Sequence, residues 1–162
     1  MCGRASLMPR LSNGTSRSPV ERAAAACVVR SAGMNRWRDW WGQCERDLRH
    51  AENALDDSDF EWAAFAAQQA AEKALKALIM ALGGDPWGHS ITGLIEALPP
   101  GTVASDEIIE AASRLDKHYI PARYPNGFAA GFPGKLYTRG EAEGAIGDAR
   151  QILEFCRRDL PR

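Results

Sequence analysis

A chain of 162 residues lies in the single-domain range and is long enough to bury a core. Its 20 basic and 21 acidic residues leave a formal net charge of −1, which excludes binding to nucleic acid by bulk charge. The balance is uneven. Residues 1–33 carry Arg4, Arg10, Arg17, Arg22 and Arg30 against Glu21 alone, leaving 15 basic and 20 acidic residues in 34–162, a net of −5.

Residues 1–22 mix Arg, Ser, Pro and Gly without periodicity. The segment 1–33 is therefore expected to be a disordered extension, or the product of a start assigned upstream of Met34. An Arg-rich targeting or RNA-binding arm is the functional alternative. Ala23 to Val29 is too short to span a membrane, and Glu21, Arg22 and Arg30 flank it unlike a signal-peptide core. Cys2, Cys27, Cys44 and Cys156 form no Cys-x-x-Cys or Cys/His spacing, so neither a metal site nor a cofactor is expected and a reducing cytoplasm is the default.

From Met34 to Arg162 the chain reads as one all-α domain, an up-and-down four-helix bundle with one additional short helix. Trp37, Trp41, Cys44, Leu48, Ala51 and Leu55 recur at helical spacing and line one face of a first helix. Trp40 and Trp41 diverge on that helix, so one of them packs at the bundle edge or meets a partner. Asp56, Asp57, Ser58 and Asp59 form a turn in which Ser58 or Asp59 suits an N-cap. A second helix runs from Phe60 to Leu82. One of its stripes is Phe65, Gln69, Glu72 and Lys76, with Glu72 and Lys76 read as an exposed ion pair. Another is Trp62, Ala66, Ala70, Ala74, Leu78 and Ala81. Its alanines let neighbours approach on several sides, which predicts a central or subunit-shared helix.

Gly83-Gly84-Asp85-Pro86 ends that helix, and His89 is a loop residue beside Ser90, the N-cap of a short third helix reaching Leu98. Pro99-Pro100-Gly101 stops it. A fourth helix spans Asp106 to Tyr119 and is expected to bury Ile108, Ile109, Ala112 and Leu115. Pro121 then forces a helix-to-loop corner rich in arginine and tyrosine. Thr138, with Glu141 at the capping-box position, starts a last helix that buries Ala142, Ala145, Ile146, Ala149, Ile152, Leu153 and Cys156.

Two sets of side chains at the corner carry chemistry. Arg114 and His118 share one face of the fourth helix at i,i+4 spacing. His118 suits proton transfer at a ribose hydroxyl and Arg114 suits charge balance at phosphorus; the plain structural alternative pairs Arg114 with Glu110. Arg123 sits between Pro121 and Pro125, so its guanidinium can be aimed, and Tyr124 offers a ring or a hydroxyl. Lys135, Tyr137 and Arg139 make the far side of the loop basic, favouring an anion site of Arg123, Tyr124 and Lys135. A bridge from Arg123 to Asp116 or Glu72 is the alternative.

The run Gln68-Gln-Ala-Ala-Glu-Lys-Ala-Leu-Lys-Ala-Leu78, then His89-Ser90, then Asp116-Lys-His-Tyr-Ile-Pro-Ala-Arg-Tyr-Pro-Asn126 resembles the HEPN domain family, from about Met34 to Leu160. The resemblance implies a four- or five-helix bundle that forms homodimers. It also implies a minimal nucleotidyltransferase as partner, in a toxin–antitoxin-like pair. Some members are metal-independent ribonucleases with four to six residues between an Arg and a His; others bind nucleotides or partners only. Arg114 and His118 have one residue too few between them for that pattern, as do Arg46 and His50. The resemblance therefore implies a nucleotide- and partner-binding module, with an endoribonuclease toxin using Arg114 and His118 across a homodimer, or a purely structural dimer, as alternatives. In some family systems the transferase adenylylates a tyrosine, for which Tyr119 and Tyr124 are the candidates here.

Overall fold

The computed structural model describes residues 35–161; the expectations for residues 1–33 lie outside them. Six α-helices follow in chain order: α1 (Trp37–Asp56), α2 (Phe60–Ala81), α3 (Ile91–Glu96), α4 (Asp106–Asp116), α5 (Pro133–Leu136) and α6 (Arg139–Asp159). A 3₁₀ turn occupies Pro125–Gly127. Four helices are long and two are short, so the fold is the expected all-helical bundle with one short helix more, α5, set inside the loop that follows α4. Among the described residues no helix is long and apolar enough to cross a membrane.

The helix ends follow local chemistry. The Ser90 side chain accepts the Gly93 N–H at 3.2 Å and starts α3. Thr138 and Glu141 close a reciprocal capping box on α6: Thr138 Oγ1 accepts the Glu141 N–H, and Glu141 Oε2 accepts the Thr138 N–H at 2.8 Å. The α1–α2 corner works differently. Asp59 occupies the N-cap position of α2 without a side-chain cap bond, and Ser58 carries the bend at φ +68°.

α2 is the middle of the bundle. It packs against α1 on one side and α6 on another, while α4 leans on α6 and α3 bridges α2 to α4. Alanines at 63, 64, 66, 67, 70, 71, 74 and 77 are buried, so backbones come close all round the helix, and Leu75, Leu78 and Ile79 fill what remains. Cys44 and Cys156 are buried free thiols in this core, and desolvation pushes Cys44 up to about 12 and Cys156 well above its ordinary value. One expected core position, Ile109, is at the surface, as is Trp62 in the first turn of α2, edge-on to Phe65.

Candidate anion-binding site

α4 ends at Asp116, whose carboxylate is committed outside the helix. It accepts the backbone N–H groups of Ile91 (2.6 Å) and Thr92 (3.1 Å) and the hydroxyls of Ser90 and Thr92. An acid at a helix N-terminus is electrostatically favoured, and here it binds the start of α3 to the end of α4. The chain then turns through Lys117–Arg123 and folds back. Gly127 approaches the Pro121 backbone so closely that an added Cβ would stand 3.0 Å from Pro121 Cα. Only glycine fits there without moving the corner.

Arg114 and His118 each have an internal partner. Arg114 grips Asp148 of α6 through Nε and Nη2, both at 2.8 Å, and Glu110 is a distant second at 3.7 Å. The hydrogen bond to Asp148 raises the guanidinium's pKa above its ordinary value. Asp148, rather than Glu110, is thus the main partner. His118 Nδ1 lies 3.0 Å from the Tyr137 hydroxyl. Burial lowers the imidazole's pKa and pushes the Tyr137 phenol up to about 12, so both are neutral and the phenol is the natural donor.

Arg123 is different. Its Nε donates to the Tyr119 carbonyl at 2.9 Å, and its guanidinium carbon stands over three rings: Phe65 at 4.5 Å, Tyr119 at 4.6 Å and Tyr124 at 5.2 Å. Among the described residues no carboxylate pairs with it. The alternative, a bridge to Asp116 or Glu72, does not form, because Asp116 caps α3 and Glu72 is held by other donors. Aromatic walls hold the guanidinium plane in place while leaving its outer N–H groups available to an anion. Tyr124 is half exposed beside it. Lys135 stands over Phe132 on α5, and no hydrogen bond or ring contact joins it to Arg123.

Tyr119 connects this arginine to side chains that spacing alone had treated as ordinary. The His89 ring stacks on Tyr119, with centroids 5.2 Å apart and planes 14° from parallel. His89 Nδ1 lies 3.1 Å from Glu72 Oε1. Glu72 is 3 % exposed and Lys76 7 %, so the pair is buried rather than solvent-facing, with Lys76 Nζ donating to Glu72 Oε1 at 2.9 Å beneath the Trp40 ring. Gln69 donates to Glu72 Oε2, and Gln68 Nε2 donates to the His89 carbonyl. Gln68 is wholly buried, and a Gln68–Gln69 pair flanked by alanines on either side was the available signal of an interior network. On the far side of Phe65 a groove of about 240 Å³ runs between α1 and α2, with Trp62, His50, Gln69 and Lys73 among its walls. Among the described residues no cluster of His, Cys, Asp and Glu is built to hold a metal ion.

Comparison with known proteins places the domain. Residues 37–159 match the family model described as HEPN domain. The crystal structure of TT1696 from Thermus thermophilus is 50% identical, aligning 78% of this chain with 100% of that one at a TM-score of 0.77. The structure of ST0689, an archaeal HEPN homologue, is 37% identical over 77% of this chain and 98% of that one, with a TM-score of 0.67. A protein of Methanocaldococcus jannaschii named "Putative toxin MJ1304" is 26% identical over 124 residues, which is 71% of this chain and 82% of the relative.

Proposed function

Because this chain belongs to the HEPN domain family, we propose that it is the nucleotide- and partner-binding half of a toxin–antitoxin-type pair, working as a cytoplasmic homodimer with a minimal nucleotidyltransferase. The toxin name of the Methanocaldococcus jannaschii relative supports the general role. The observation that carries the binding reading is the state of Arg123: a guanidinium held by three rings and one carbonyl, with no carboxylate of its own. A phosphate group is its natural complement. The groove beyond Phe65, with Trp62 half exposed, offers a surface for base stacking. Arg114 and His118 are each engaged internally, which favours binding over cleavage.

Calorimetric titration of the purified protein with AMP and ATP tests this reading. Arg123→Ala should weaken binding about tenfold, the value of a charge-assisted hydrogen-bond pair. Absence of nucleotide binding removes the nucleotide half of the reading, and absence of a complex with the co-expressed transferase removes the partner half. RNA that is cut without metal by the wild type, but not by His118→Ala, would instead make the protein a ribonuclease.

A further inference from the structure

We infer that His89 is a hydrogen-bond acceptor for a ribose hydroxyl, so that the site takes ribonucleotides in preference to their deoxy forms. This rests on the nucleotide-binding reading above and adds to it the part of the ligand that is recognised. The argument begins inside the protein. Glu72 is surrounded by the donors of Lys76, Gln69 and Gln68. With donors on its other sides it faces His89 as an acceptor, so Nδ1 carries the proton between them. In that tautomer the lone pair stands at Nε2.

Three contacts keep that lone pair in one place: Glu72 at Nδ1, Tyr119 against the ring face, and Gln68 at the residue's own carbonyl. The His89 side chain is nevertheless 60% exposed, and Nε2 has no partner among the described residues. A histidine packed for structure alone needs no such support behind an open acceptor. Arg123 and His89 both border the Tyr119 ring, one as an unpaired cation and the other as an unpaired acceptor. The matching ligand carries both an anion and a hydroxyl donor. A nucleotide's phosphate and ribose have that pairing, and the ribose hydroxyl is the group that separates ribonucleotides from deoxyribonucleotides.

The test is calorimetric titration of the full chain with AMP, 2′-deoxy-AMP and 3′-deoxy-AMP. The wild type should bind at least one deoxy form about tenfold more weakly than AMP. His89→Phe keeps a ring on Tyr119 and removes the acceptor, so AMP affinity should fall to the deoxy level and the three ligands should agree within about twofold. Glu72→Gln supplies an independent variant. Its amide can donate to Nδ1, which moves the imidazole proton to Nε2 and should also erase the preference; circular dichroism confirms that each variant is folded. Equal wild-type affinities for all three ligands overturn the inference alone, as does a preference that survives in a folded His89→Phe. Binding of none of them overturns the nucleotide reading and this inference with it.

Discussion

Arg114 and Asp148 form a two-pronged clasp between α4 and α6, Nε to Oδ2 and Nη2 to Oδ1 at 2.8 Å each. The clasp is separated by 34 residues along the chain. It fastens the helix that leads into the arginine corner to the helix that closes the bundle. Arg114→Ala and Asp148→Ala should each lower the thermal midpoint. The double variant should lose little more than the worse single one, because both singles break the same contact. Additive losses in a double-mutant cycle would show that the pair is not coupled.

Glu72 should be among the least replaceable polar residues. Removing its carboxylate in Glu72→Ala leaves the ammonium of Lys76 buried without a countercharge, at a cost of about 3 kcal/mol. Lys76→Met should cost less, because the methionine keeps the stem's packing and Glu72 retains the donors of Gln68 and Gln69. Urea unfolding of the two variants decides the order.

Asp116→Ala should destabilise the domain by about 2 kcal/mol, since it strips a charged cap from α3 and leaves two backbone N–H groups without their acceptor. Asp116→Asn, which retains one acceptor oxygen, should lose less. If both variants melt with the wild type, the cap carries no stability.

The pH response follows from His118. Burial holds its folded-state pKa below the ordinary histidine value, so below that value the unfolded chain binds a proton that the folded chain refuses. Its contribution is fully present above about pH 6.5 and is lost as the pH falls toward the lowered folded value. Urea midpoints from about pH 7.5 down to about pH 5 should therefore decline. In His118→Gln the decline should be shallower, and an identical slope would assign the acid sensitivity to other groups.

Local signals were legible where their cause is local. Ser90 and the Thr138–Glu141 box begin helices because a side-chain oxygen meets an N–H three residues on, and that rule needs no tertiary knowledge. The central position of α2 was one of the two readings its alanines allowed, the other being a helix shared between subunits. Ile109 was misplaced because periodicity identifies stripes but not the neighbour that covers each stripe. The same gap hid the site. Glu72 and Lys76 look like an ordinary exposed i,i+4 pair until the loop bearing His89 and the ring of Trp40 are laid over them. Those covers come from distant parts of the chain, beyond the reach of any local pattern. Arg123 and Tyr124 do lie together beside the corner, whereas the reach of Lys135 was a matter of tertiary placement.

α2 supplies the floor beneath His89 and one wall of the groove, and it is also the helix around which the bundle is built. The two loops that carry His89 and Arg123 are thereby seated on the one element that cannot shift without opening the core. A molecule caught between them acts as a strut across that element, and mass action will hold the whole domain closed for as long as it stays. Ligands for this protein are accordingly discoverable by how much later it melts, with no label, no activity and no prior guess about their chemistry.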